Sequence, residues 1–237
     1  MYAIFKKEFT HFFSASIGYL VVGLFLLFNS LLLWVFKGNW NIITTGFADL
    51  QNFFISTPWL FLLLIPAINM RMFNDEFTTG TIELLKTKPL SGWDIVFGKF
   101  LAGMSLIALS IIPTLVYAIS IAQLALPENI DWGRIIGSYF GLLFLASALT
   151  STSLLASILS KNQIIALLLG GLFSVLFYYG IDLWAEWLPN LPDFIQGLSL
   201  AEHYKSIGKG VIDSRDVVYF LSFTGLFLYL TTLKLDK

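Results

Sequence analysis

The chain alternates long apolar runs with short polar interruptions, and the runs have membrane-crossing length. About six segments, at 17–36, 53–70, 100–126, 135–159, 164–183 and 217–233, could each cross roughly 30 Å of hydrocarbon as a helix. In hydrocarbon the backbone must satisfy its own hydrogen bonds, so the pattern predicts an all-α polytopic membrane protein. No repeat or soluble insertion interrupts it, so residues 1–237 read as a single transmembrane domain. Pro58 and Pro66 predict a kink in the second span. The first run has no small-residue cleavage site and is expected to span rather than be removed. Before it, Tyr2, Phe5, Phe9 and Phe12 recur at helical spacing, with Lys6, Lys7, Glu8 and His11 facing elsewhere. That spacing predicts an amphipathic interfacial helix, although an ordinary basic flank has the same composition.

The longest charged interruption of the first half, "NDEFTTGTIELLKTKPLSGWDIVFGK" at 74–99, has internal order. Phe77 and Leu84 fall on one helical face, and Glu76, Glu83 and Lys86 on a neighbouring one. Thr78, Thr79 and Gly80 are poor helix formers and predict a break, with one helix entering it and a short one leaving. Lys88 and Pro89 stop the second helix, because a residue before proline avoids the α region. Ser91, with Asp94 three residues on, predicts an N-cap opening the third span. Such a short surface helix could seat in a soluble partner or simply lie in the headgroups, and the pattern alone leaves both open. A second polar region, 182–216, carries Trp184, Trp187, Phe194 and Leu198, which suggests short helices dipping into the interface as a lid or a cap.

Composition narrows the classes. Hydrophobic residues make up 57% of the chain and charged residues 12%, too little polar surface for a water-exposed globule. A net charge of −1 leaves no basic footprint for nucleic acid, and membrane lipid is the expected surroundings. With no cysteine there is no disulfide, thiolate or Cys-based metal chemistry. Basic residues sort by side. One side of a six-span topology receives Lys6, Lys7, Arg71, Lys86, Lys88, Lys99, Lys161, Lys234 and Lys237, and the other only Lys37, Arg134, Lys205, Lys209 and Arg215. Both termini and the 74–99 segment are therefore expected in the cytoplasm.

The remaining chemistry is sparse. "FGKF" and "IGKGV" contain Gly-Lys but lack the glycine spacing and hydroxyl of a phosphate-binding loop, so ATP is not expected to bind by that route. His11 and His203 are assigned to opposite sides and cannot share a metal, so each reads as an ordinary interfacial histidine. "SALTSTSLLAS" offers no base beside its hydroxyls, and Ala146, Ser147, Ser151, Ser153 and Ala156 read as close helix contacts. Charge inside the spans is almost missing, which argues against an ion-coupled carrier. An energy source on another chain is expected.

The segment "NDEFTTGTIELLKTKPLSGWDIVFGKFLAG" resembles the region after the second membrane helix in permeases of the ABC-2 type ABC transporters. The likeness extends over the amphipathic start, the six spans and "HYKSIGKGVIDSRDVVYFLS", which looks most like the gliding-motility permeases (GldF), with the NosY type of copper-enzyme maturation systems as a relative. What the resemblance implies is a non-enzymatic subunit of the bacterial inner membrane. It would form a homodimer, or a heterodimer with a sibling permease. ATP and Mg would sit on a separate ATP-binding subunit, and a GldG-like accessory protein would be a further partner. Glu76, Gly80, Thr81, Glu83, Leu84 and Pro89 match the family's coupling motif, with Lys86 on the same short helix, and Gly98 and Lys99 match its Gly-Lys end. The resemblance marks no substrate-contacting residue, and a membrane scaffold that relays ATPase state to a partner across the membrane stays open beside transport.

Overall fold

A computed structural model describes residues 1–45, 49–86, 90–124, 130–183, 197–210 and 213–236, with backbone only at 45 and 84–86. Among the described residues every regular element is helical. Six helical stretches are long and apolar enough to cross a membrane: Ile17–Val35, Gln51–Thr78, Gly92–Leu124, Trp132–Leu159, Gln163–Leu183 and Ser214–Asp236. The protein is an all-α, multi-pass membrane protein.

The first helix is α1 (Tyr2–Ser14), and Ser16, with a φ of 60°, turns the chain into α2 (Ile17–Ser30). A π-helical turn, Leu31–Val35, finishes the first span, and a short α3 (Ile42–Thr45) follows. The second span is α4 (Gln51–Asn69), which runs through Pro58 and Pro66 without interruption and passes into α5 (Arg71–Thr78). After a turn at Thr79 and Gly80 comes α6 (Thr81–Lys86). The third span begins at Gly92, eight residues before the predicted start, because Ser91 and Asp94 form the expected reciprocal cap: Ser91 Oγ accepts from the Asp94 amide at 3.1 Å, and the Asp94 carboxylate accepts from the Ser91 amide at 3.3 Å. This span is α7 (Gly92–Ile111) and α8 (Leu115–Leu124), separated by a 3-10 turn at Ile112–Thr114 where Pro113 cannot continue the α ladder.

The fourth span, α9 (Trp132–Leu159), is the most buried and packs against α4, α10, α11 and α12. Here α10 is Gln163–Val175 with a π turn at Leu176–Gly180, α11 is Leu200–Ile207 and α12 is Ser214–Asp236. The small and hydroxylated residues of α9 allow that central position, since half of its hydroxyls bond back to its own carbonyls. Ser151 donates to Ala148, Thr152 to Leu149 and Ser153 to Leu149, at 2.7, 3.0 and 2.7 Å. By contrast α2, α10 and α12 expose apolar side chains such as Leu24, Leu168 and Leu221, as helices facing lipid do.

Both termini lie at one end of the bundle, where Asp236 crowds Gly92 at the start of α7. At the opposite, far end α11 rests on α9: a β-carbon at Gly137 would stand 3.0 Å from the Ile207 carbonyl, and one at Gly141 3.3 Å from the Tyr204 ring. Of the interfacial residues expected there, Trp184, Trp187 and Phe194 lie outside the described residues, as do Lys88 and Pro89 at the other end.

Candidate coupling site

Helix α5 is the meeting point of the terminal end. Its sequence, RMFNDEFT, turns Met72, Phe73, Asn74 and Glu76 inward, so apolar and polar groups enter the bundle together. Asn74 donates to the Met70 carbonyl at 2.8 Å and to the Ser157 carbonyl at 3.2 Å, which ties α5 to the end of α9. Asp75 accepts from Gln163 Nε2 of α10 at 2.7 Å and stands 3.8 Å from His11 Nε2 of α1.

Glu76 completes the junction. Its Oε1 lies 3.0 Å from Lys99 Nζ of α7 and 2.8 Å from Lys7 Nζ of α1, and Lys99 Nζ lies 2.8 Å from Glu8 Oε1. Lys99 is fully buried; its ammonium also donates to the Met72 carbonyl and sits 5.0 Å from the centre of the Phe73 ring. Two carboxylates and two ammoniums balance in charge, the condition under which charges tolerate burial. Glu76 Oε2 is buried with no hydrogen-bond partner among the described residues, so this carboxylate is held from one oxygen only. Lys7 is half exposed. Burial alone would lower its pKa, but its hydrogen bond to Glu76 and the charges of Glu76 and Glu8 outweigh that and hold it above the ordinary 10.5.

This centre changes the reading of the N-terminal helix. In α1 the residues facing the bundle are Ile4, Glu8 and Phe12, one residue every turn, so Glu8 does not face solvent with Lys6 and Lys7 as its spacing from the aromatics predicts. Phe5, Phe9 and Phe13 form a neighbouring row with ring centres 5.7 and 5.2 Å apart. Gly98 admits the helix: a β-carbon there would come within 3.1 Å of Ile4 and of the Met1 carbonyl. The Gly-Lys pair thus acts twice, glycine giving α1 room and lysine binding its acid.

The predicted motif residues divide between the inside and the surface. Glu76 is buried and Glu83 exposed, so they share no face; Gly80, at a φ of 70°, ends α5 and starts α6 in a new direction, breaking the helical register that would have aligned them. Thr81 is exposed and its hydroxyl lies 2.9 Å from that of Thr79. Leu84 and Lys86 belong to α6, but their side chains lie outside the described residues, and so does Pro89. The sequence reading missed Glu8 as an inward residue and took Lys99 for a flank. The available signal was a lysine set between Phe97 and Phe100 at the start of an apolar run, and a glutamate inside an aromatic stripe.

The profile of the ABC-2 family transporter proteins matches residues 2–231, nearly the whole chain. The chain belongs to this family. As an ABC-2 permease it is a membrane subunit of an ABC transporter, a family whose membrane subunits work with an ABC ATP-binding partner. No individual curated protein matches the permease. In the permease the segment that resembles the family's coupling motif starts inside the buried ion centre, at Glu76 of α5, and leaves it through the turn at Gly80 into α6.

Proposed function

We propose that the permease takes up the nucleotide-driven movement of a separate ATP-binding subunit through α6 and distributes it through α5. Docking rests on the exposed Thr81 and Glu83, with Leu84, Lys86 and Pro89 on the same segment. Glu76 is the relay rather than a docking residue. The observation that carries this reading is Lys99, which is fully buried and is bound at once by Glu8 of α1 and Glu76 of α5. A displacement of α5 cannot leave Lys99 and Glu8 where they are without separating buried charges, a costly step. It therefore moves α1 and the third span with it. The excess of basic residues at this end supports a cytoplasmic position for it, and the resemblance to the ABC-2 permeases supports a bacterial inner membrane.

Two variants test the division of labour. Glu83→Lys reverses charge at the docking surface and is expected to reduce co-purification of the ATP-binding subunit. Lys99→Gln is expected to leave that co-purification intact while abolishing the permease's effect on ATPase rate. Unchanged assembly with Glu83→Lys, or normal ATPase stimulation with a folded Lys99→Gln protein, would overturn the proposal.

For the process served, the likeness of 203–222 to gliding-motility permeases supports that assignment over copper-enzyme maturation. Two described parts of that segment meet: His203 of α11 is bonded to Asp216 of α12 at 2.6 Å and stacked on Tyr219 with ring centres 3.9 Å apart. A GldG-like accessory protein is the expected partner of this end. Pull-down from mild detergent, with the subunits identified, decides between the two.

A further inference from the structure

At the far end, a cavity of about 680 Å³ opens between the starts of α4 and α9, the π turn after α10, and α11. That is the volume of a site for one medium-sized molecule. Its depth is apolar and aromatic, with Leu50, Phe54 and Tyr178 buried against it. On one side Trp59 lies over Tyr179 with ring centres 4.5 Å apart. Tyr204 is fixed beside them by donating to the Phe54 carbonyl at 2.7 Å.

The lining carries three basic and two acidic residues, at an end whose other charged residues are mostly acidic. Of the five Lys and Arg residues assigned to this end, Arg134, Lys205 and Lys209 line the one cavity. Lys205 stands 3.9 Å from Asp182, but Arg134 and Lys209 have no ion pair among the described residues. Each of the two lining acids accepts a backbone amide: Asp131 that of Arg134 at 3.0 Å as the N-cap of α9, and Asp49 that of Gln51. Gly210 brings the backbone beside Lys209 close to that of Arg134, because its φ of 91° turns the chain against α9, where a β-carbon would come within 3.0 Å of the Arg134 nitrogen. Basic residues are disfavoured on the outer side of a bacterial membrane, so three of them at the mouth of one apolar cavity mark it for an anion; Arg134 and Lys209 are exposed and unpaired among the described residues, and an anionic head would give both a partner.

We propose that this cavity binds an amphiphile with a single anionic head, phosphate or carboxylate, whose apolar tail enters between Trp59 and Phe54. Arg134 and Lys209 would hold the head, and arginine suits phosphate or carboxylate through its planar pair of donors. The source is an outer-leaflet lipid or a single-tailed molecule arriving from water. The site belongs to this chain alone, so it stands or falls apart from the ATPase coupling proposed above.

The test is native mass spectrometry of the full chain, with any subunits that co-purify, released from zwitterionic bilayer discs. One sample contains phosphatidylglycerol matched in chain length to the phosphatidylcholine; another receives dodecyl phosphate, with dodecylphosphocholine as its control. The expected result is one retained anionic amphiphile per chain in preference to its zwitterionic match. Retention should fall about tenfold or more in Arg134→Gln/Lys209→Gln, with an unchanged unfolding midpoint. Lys37→Gln, at the same end but off the cavity, should change nothing. Retention of phosphatidylglycerol assigns the bilayer as source; retention of dodecyl phosphate alone assigns water. Equal retention of the zwitterions, no loss in the double variant, or the same loss with Lys37→Gln overturns the proposal.

Discussion

Lys99 of α7 and Glu76 of α5 meet 3.0 Å apart inside the bundle, the lysine fully buried and the glutamate 4% exposed. The pair joins the segment that follows the second span to the opening turns of the third. Because Glu8 shares the same ammonium, neither helix can shift without consequences for α1.

Removing the shared cation should expose that dependence. Lys99→Met leaves the Glu8 and Glu76 carboxylates buried without it, a loss of about 3–5 kcal/mol for a broken buried pair. Adding Glu8→Gln removes one of the two stranded charges, and Lys7 can still balance the other. The double variant is therefore expected to unfold at a higher temperature than Lys99→Met alone, measured by intrinsic fluorescence in detergent. Simple addition of the two single losses would show that the residues act separately.

Gly98 sets the distance between α1 and α7. Gly98→Leu cannot keep the Ile4 and Met1 contacts at 3.1 Å and should lift α1 from its seat. Overpacking of this kind costs about 1–3 kcal/mol. Amide hydrogen exchange in α1 is expected to accelerate while exchange in α9 stays as it was. Equal acceleration in both would mean a global loss of fold instead.

Gly80 tests the turn itself. At a φ of 70°, Gly80→Val should cost about 1–2 kcal/mol locally, while Gly80→Asn should be tolerated because asparagine enters the left-handed region more readily. The expected readout is affinity for the ATP-binding subunit, which should fall with valine and stay near wild type with asparagine.

Lys7 gives the pH dependence. Its pKa is raised above 10.5, so its stabilising contribution is complete below that value and is lost as pH rises through the folded pKa. Half exposure limits it to below about 1 kcal/mol. Lys7→Gln should lower the unfolding midpoint equally at about pH 6 and about pH 9, and the difference should close only in strong alkali. A difference that closes between those two values would assign the titration to another group.

The spans, the all-helical class, the weak centre at Thr78 to Gly80 and the cap at Ser91 were legible because each rests on local chemistry: apolar length, glycine and proline, a hydroxyl three residues before an acid. The ion centre was not legible, because Glu8, Glu76 and Lys99 are brought together only by tertiary packing across 91 positions of sequence. Periodicity also assumes one continuous helix, and that assumption fails at Gly80, which is why Glu76 and Glu83 were placed together. The third-span start shifted for a related reason. The polar first turns of α7 are too hydrophilic to count as membrane, yet they are helical because they are capped and packed under α1.

The back-bonded hydroxyls of α9 bear on how the bundle can rearrange. Ser151, Thr152 and Ser153 spend their protons on their own helix, so this central stretch is not stitched to its neighbours by these donors. The polar links between α9 and α5 or α12 sit at either side of it, at Ser157 and Ser147. The middle of the molecule is thus built like a lubricated bearing: along this stretch neighbouring helices meet α9 through small side chains, so a slip there would cost contact area, and the bonds it must break and remake are the flanking ones at Ser147 and Ser157.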